Sequence, residues 1–521
     1  MKKTIQKLMA ALLAVAMVCA MAIPAFAYHT KEDINKDHSF KAFQIFKGDV
    51  EGNKISNATW GSNITNHDDF LNKLKADSTF GNLFNGATTV QDVLAVICKW
   101  SNSDDNSIAF ARFVCKYLYP TADANPTHAA IGNHTLHFDD AGYYLIVDTT
   151  DFSDGDSYVA YNSFMLTVTQ ANWDVDVTPK VEKPSVKKEV YDNHDGTSNT
   201  EGFSSSADHA INEPFQFKLT ATLPASTYKA YDYYDKYTVT FHDTLYEGIT
   251  FDHWDAIVIN NGGSDITIPP EKYIRDVSGQ NLTLNIDNVK TCVSGIDLNK
   301  GATITVTYTA HLNEKAYVNT ATNGDTKNTN KVYLTYSNNP RINTSVGQTP
   351  ESEVYVFTYQ LNNTKYKNSV ADENKLEGAG FRLYSDAACN AAQEIKLKKN
   401  ADGTYSRDFS TDAVGVEMKS ATDGTFNVKG LDAGTYYLKE TSTPTGFNTC
   451  PVTTVTIEAN HTGNQVTLSD TSKLSYDIIN KQGTTLPSTG GMGTTLFYVI
   501  GGGLMVAAIV LLVTKKRMEN K

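Results

Sequence analysis

Several things that enzymes and nucleic-acid binders depend on are scarce or missing in this 521-residue chain. Basic residues are outnumbered 45 to 58, which leaves a formal net charge of -13 and a pI near 5.4. That balance argues against nucleic acid or an anionic membrane surface as a partner, since both select clustered positive charge. No G-x-S-x-G, H-E-x-x-H or phosphate-binding glycine loop occurs, and the twelve histidines are dispersed. His134 and His137 make half a metal site that nothing completes. The turn opening at Asp192 has Phe203 where a calcium loop would place a glutamate. No enzymatic turnover, cofactor or metal is expected. Helical patterning is also sparse, and long apolar runs occur only at the two ends.

Those ends carry the first positive information. Lys2, Lys3 and Lys7 precede an apolar run from Leu8 to Ile23 that closes on Ala25-Phe26-Ala27, the pattern of a cleaved signal peptide with the mature chain starting at Tyr28. At the other end Leu486-Pro487-Ser488-Thr489-Gly490 is followed by an apolar run from Leu496 to Val513 and then Lys515, Lys516 and Arg517. Such a run can span a bilayer as a helix, and the basic cluster holds its end in the cytoplasm. This order resembles the sorting signal read by sortases of Gram-positive bacteria. The resemblance implies cleavage between Thr489 and Gly490 and transfer of the Thr489 carbonyl to an amine.

Between these signals the chain is long enough for about three domains. Its texture is that of all-β sandwiches, with 28 tyrosines, many threonines and valines, and frequent Asn, Asp and Gly punctuation. The expected organisation is a signal peptide (1–27), a first domain (28–180), a second (181–345), a third (346–483) and the sorting segment (484–521). The first domain alone shows helical periodicity, at Asp68 to Leu83, Val90 to Trp100 and Ile108 to Tyr119, and reads as a β sandwich with a helical insertion. Six cysteines occur, of which Cys19 leaves with the signal peptide. Cys389 with Cys450 is the preferred disulfide and Cys98 with Cys115 the second choice. Buried free thiols are the alternative, and Cys292 has no evident mate.

Three segments carry chemistry. Trp173-Asp174-Val175-Asp176-Val177-Thr178-Pro179-Lys180 resembles the pilin motif of sortase-assembled backbone pilins, although Thr178 stands where tyrosine is usual. The resemblance implies Lys180 as the acceptor amine, with Lys183 as nearest competitor. In the third domain, Lys365 is followed by Leu376-Glu377-Gly378-Ala379-Gly380-Phe381, Tyr436-Tyr437-Leu438-Lys439-Glu440-Thr441 through Phe447, and Ile478-Ile479-Asn480. This resembles a collagen-adhesin B-type (CnaB) immunoglobulin-like domain. It implies an intramolecular isopeptide bond between Lys365 and Asn480, promoted by Glu440. The residue types suit the reaction: burial favours a neutral, nucleophilic amine and a protonated acid that hydrogen-bonds the asparagine carbonyl.

In the second domain Pro184-Ser185-Val186-Lys187-Lys188 resembles the opening of such domains, and Asp243-Thr244-Leu245-Tyr246-Glu247-Gly248-Ile249 resembles the segment that supplies the acid. The closing run from Asn328 to Asn338 supplies the asparagine. The implied trio is Lys188, Asp243 and Asn330, with Asn319 in reserve. Neighbouring residues of a strand face opposite ways, so only one of Lys187 and Lys188 points inward, and Val186 and Val190 share the parity of Lys188. No trio can be placed in the first domain. The family resemblance implies a pilus backbone subunit whose partners are a pilin-specific sortase, further copies of the chain, ancillary pilins, peptidoglycan and surface receptors. The alternative is a monomeric wall-anchored adhesin, or a tip or base pilin.

Overall fold

The structure, a computed structural model, describes residues 39–51, 54–100, 104–118, 128–129, 135–149, 164–168, 173–176, 183–193, 201–226, 229–320, 327–468, 474–483 and 492–519. The signal peptide, Lys180 and the pentapeptide 486–490 lie outside the described residues.

In the first domain, Lys54–Trp60, Phe40–Glu51, Gly142–Asp148 and Phe164–Val168 form an antiparallel sheet in that order, with His128–Ala129 joined to Phe40–Glu51. The helices His67–Ala76, Val90–Ile97 and Asp105–Leu118 pack on one face, burying Phe70, Leu74, Val93 and Val114 against Phe43 and Ile45. The other face, with Phe40, Ala42 and Ile146, is covered by a ribbon of Thr135–Phe138 and Trp173–Asp176 that supplies Leu136 and Phe138. The helical periodicity was therefore placed on the right segments. The first helix stops at Ala76 and Gly81–Phe84 forms a separate 3-10 turn, the second stops at Ile97 short of Trp100, and the third begins at Asp105, ahead of Ile108.

The second domain is a two-sheet sandwich. One sheet runs Ser206–Asp208, Ser352–Phe357, Asn328–Ser337, Val239–Leu245, Asn281–Ile286, Ile274–Ser278; the other runs Ile266–Thr267, Ile249–Asn260, Ala302–Leu312, Pro214–Leu223, Ser185–Asp192, Gly202–Ser204. Strict alternation drives it. In Pro214–Leu223, the residues Phe215, Phe217, Leu219, Ala221 and Leu223 all turn into the core while their neighbours stay outside.

The third domain repeats the plan. One sheet runs Leu397–Lys399, Tyr405–Arg407, Val428–Leu431, Tyr359–Lys367, Ser475–Asn480, and the facing one Glu394–Ile395, Gly380–Tyr384, Gly434–Ser442, Thr453–Ile457. The strand Ser352–Phe357 pairs within the second domain's sheet, where Val354 and Val356 join that core, so the third domain's own strands start at Tyr359. The final element is the helix Met492–Glu519, which from Tyr498 onward is long and apolar enough to cross a membrane. The fold class is thus all-β immunoglobulin-like domains in tandem, the first carrying helices, followed by one apolar helix.

Candidate functional site: two buried lysine, acid and asparagine trios

In the third domain Lys365 and Asn480 come from neighbouring parallel strands, the first and last of the domain, in which Lys367 lies opposite Asn480. Glu440 reaches them from the facing sheet. All three are buried. Lys365 Nζ donates to Asn480 Oδ1 at 2.5 Å, Asn480 Nδ2 donates to Glu440 Oε1 at 2.7 Å, and Nζ stands 3.9 Å from the same Oε1. Burial lowers the Lys365 pKa, opposed by nearby Cys450 and Glu440, and the amine stands 5.2 Å from the centroid of the Phe381 ring. The acid therefore touches the amide nitrogen rather than the carbonyl that sequence reasoning assigned to it. The reason is elementary: a carboxylate only accepts, and the amide NH2 is the donor within reach.

In the second domain Lys188 projects from Ser185–Asp192 in one sheet, while Asp243 and Asn330 project from Val239–Leu245 and Asn328–Ser337 in the other. A Lys188–Asn330 link would cross the sandwich instead of tying neighbours in one sheet. Lys188, Asp243 and Asn330 are all buried, and Lys188 Nζ forms an ion pair with Asp243 Oδ2. Burial pulls the Lys188 amine down to about 8, against the pull of Asp243. Burial likewise raises the Asp243 carboxyl, against Lys188. Both shifts favour the neutral pair. Lys187 is exposed and pairs with Glu189 at 2.7 Å. Asn319 is buried elsewhere: its backbone N–H and side chain both donate to the Thr358 carbonyl, at the junction with the third domain.

One residue here was not found from sequence. The Tyr308 hydroxyl lies 3.1 Å from Lys188 Nζ, donates to Asp243 Oδ2 at 3.0 Å and accepts from Asn330 Nδ2 at 2.6 Å. The signal available was a tyrosine on the inward parity of Ile304, Val306 and Ala310 in Ala302–Leu312, because a buried phenol needs a polar partner.

The cysteine expectation is corrected. No disulfide joins any of Cys98, Cys115, Cys292, Cys389 and Cys450. Cys389 follows the Tyr384 end of Gly380–Tyr384, whereas Cys450 donates its backbone N–H to Glu440 Oε2, and Glu440 pairs with Phe381 at the strand's other end. Three residues of strand, about 10 Å, separate the two levels. Sharing a domain was a poor guide to contact. The Cys450 thiol instead sits among Lys365 and Glu440, where burial first pushes it up to about 11.

Among the described residues, two groups elsewhere could hold a cation, with ligand atoms within 4.8 Å: Asp192, Asp208 and His461, and His209, Glu213 and Asp432. Both lie where the second and third domains meet. In the first, His461 Nε2 is 3.0 Å from Asp192 and 3.4 Å from Asp208, so the imidazole already answers the carboxylates.

With this geometry in place, comparison with known proteins defines the class. Residues 362–472 match the SpaA family of prealbumin-like fold domains, and residues 478–520 match the LPXTG cell wall anchor motif of Gram-positive proteins. The chain is thus an exported, cell-wall-anchored surface protein. Among solved structures it is similar to the T6 backbone pilin of Streptococcus pyogenes serotype M6, at 16% identity over 87% of this chain and 97% of that one, with a TM-score of 0.48. It is also similar to the major pilin SpaD of Corynebacterium diphtheriae, at 17% identity over 86% and 93%, TM-score 0.43. A third likeness is the major pilin RrgB of Streptococcus pneumoniae, at 14% identity over 70% and 89%, TM-score 0.40. No match to a curated protein accompanies these.

Proposed function

We propose that the chain is the backbone subunit of a covalently polymerised Gram-positive pilus. A pilin-specific sortase cleaves after Thr489 and joins its carbonyl to Lys180 of the next copy, and the last subunit passes to peptidoglycan. Lys365–Asn480 and Lys188–Asn330 isopeptide bonds lock the third and second domains. Ancillary pilins and surface receptors are the remaining partners.

The observation that carries this reading is the pair of buried trios in the two domains lying between Lys180 and the anchor. A lysine and an acid buried together are a poor stabiliser as a simple ion pair. As reactants they make sense. The lysine ammonium gives one proton to the acid, the neutral Nζ attacks Cγ of the asparagine, the Cγ–Nδ2 bond breaks, and the nitrogen leaves as ammonia with a second proton from Nζ, whose third stays in the new amide. In the third domain Glu440, already touching Nδ2, is placed to deliver it. Wall anchoring needs only Thr489, whereas a polymer also needs an acceptor lysine.

Intact mass tests the bonds. Each removes about 17 Da as ammonia, so the chain should be lighter by two such losses, and an unshifted mass would falsify the cross-links. The polymer is tested in the native host. Lys180→Ala should abolish the high-molecular-weight ladder while leaving a wall-bound monomer. A surviving ladder would move the acceptor elsewhere, and a wild-type chain without any ladder would favour the monomeric adhesin or the tip or base subunit.

A further inference from the structure

The two trios differ in what touches the leaving nitrogen, and that difference assigns a role to Tyr308. In the third domain Asn480 Nδ2 meets the acid itself, Glu440 Oε1, at 2.7 Å. In the second domain Asn330 Nδ2 meets the Tyr308 hydroxyl at 2.6 Å, and the acid Asp243 stands behind the phenol, 3.0 Å away. Lys188 Nζ contacts both Asp243 and the same phenol oxygen. The hydroxyl thus joins nucleophile, acid and leaving group, and it is fully buried where water cannot substitute.

We infer that Tyr308 is a catalytic proton relay for formation of the Lys188–Asn330 bond, carrying to the departing nitrogen of Asn330 a proton supplied through Asp243. The inference rests on the proposed bond. Asp243 first takes a proton from the Lys188 ammonium. Neutral Nζ then forms the new bond to Cγ of Asn330. In the amide, Nδ2 has no free lone pair and can only donate to the phenol; in the tetrahedral intermediate the nitrogen becomes basic and the contact reverses. The phenol gives its proton to Nδ2, Asp243 reprotonates the phenol, and Asp243 is recharged by the second proton from Nζ. The Cγ–Nδ2 bond breaks and ammonia leaves. The lysine has lost two protons, one now on ammonia and one on Asp243, so charges and atoms balance. The phenol ends as it began. Burial, and after it Asp243, holds the Tyr308 pKa far above that of a free tyrosine, which keeps the hydroxyl protonated and ready to donate.

The third domain, which uses no tyrosine at this step, is the internal control. The full chain is made by cell-free synthesis, quenched at timed intervals, and the two cross-linked peptides are quantified by mass. In Tyr308→Phe the Lys365–Asn480 bond should form at the wild-type rate while the Lys188–Asn330 bond slows by roughly 100-fold or more, the lower range for loss of a general acid or base. Because Tyr308→Phe could also disturb packing, a second chain carries 2,3,5-trifluorotyrosine at position 308, nearly isosteric but with a more acidic phenol. A relay predicts a changed rate and a shifted pH profile for the second-domain bond alone. Wild-type kinetics in Tyr308→Phe, or an unmoved rate and pH profile in the fluorinated chain, would overturn the relay. A wild-type chain that forms no Lys188–Asn330 bond at any time removes the underlying reading, and the relay with it.

Discussion

Lys187 and Lys188 are adjacent in sequence and opposite in fate. The pleat turns one to solvent beside Glu189 and the other into the core beside Asp243. Parity with Val186 and Val190 favours Lys188 for the core without deciding it from sequence, and the burial of Lys188 agrees with that preference. Choosing Asn330 over Asn319 needed the resemblance to known domains, because both asparagines are fully buried and only tertiary structure shows that Asn319 faces Thr358. Tyr308 escaped altogether, since its partners lie 65 and 22 residues away on other strands. Substitution separates these roles. Lys187→Ala and Asn319→Ala should leave both ammonia losses intact in the mass spectrum, whereas Lys188→Ala and Asn330→Ala should each restore about 17 Da to the second domain. Lys188→Ala also strands a buried carboxylate, and urea unfolding of that domain should fall by roughly 3 to 5 kcal/mol beyond loss of the cross-link. Retention of the mass shift in Asn330→Ala would point to another asparagine.

At the scale of elements, the joint between the second and third domains is built from strand ends and one hairpin. Ser352–Phe357 pairs in the second domain and Tyr359–Lys367 in the third, with Thr358 alone between them. Sequence placed both strands in the third domain because two β-rich runs separated by one residue carry no turn signal. Gly430 packs against Ile211 across this joint; at φ +73°, and with a Cβ that would fall 2.3 Å from the Ile211 side chain, it can be nothing larger. The hairpin of Ala459–Thr462 and Gln465–Leu468 brings His461 to Asp192 and Asp208, with Nδ1 against Ser206 Oγ at 2.9 Å. Burial opposes an imidazolium there, but hydrogen bonds to Asp192 and Asp208 outweigh it and push His461 up to about 9. A raised pKa sets the sign: the contribution is complete below about 6.5, the unfolded value, and is lost as pH rises through about 9. Hydrogen exchange in the hairpin, corrected for its intrinsic pH dependence, should therefore be most protected near pH 6 and loosen by pH 10. In His461→Gln this dependence should flatten, and an equally steep one would assign it to another group.

For the whole molecule, what matters is where pulling force would run if Lys180 and Thr489 are the joints of a polymer. Load entering at Lys180 meets Lys188, crosses the proposed bond to Asn330, follows the chain to Lys365, crosses to Asn480 and leaves toward Thr489. The first domain, N-terminal to Lys180, lies outside this path, so it has no mechanical need of a cross-link. The proposed bonds would not shield everything between them. Asn330 stands at the start of Asn328–Ser337, so the rest of that strand, Val346–Gln348 and Ser352–Phe357 remain in series with the load. That stretch is 35 residues, from 365 minus 330, and fully extended it adds at most ~120 Å. Single-molecule pulling between residues 180 and 489 should therefore show, at most, one short extension of that size in the wild-type chain. Lys188→Ala should expose the 142 residues from Lys188 to Asn330, lengthening the trace by up to ~500 Å less the folded span. Lys365→Ala should do the same for the 115 residues from Lys365 to Asn480. Each loop of this size, if closed by a covalent bond, also restricts the unfolded chain by roughly 4 to 5 kcal/mol on the loop-entropy model, so the variants should unfold at lower force and refold more slowly. A wild-type trace with two full domain unfolding steps would show that neither bond carries the load.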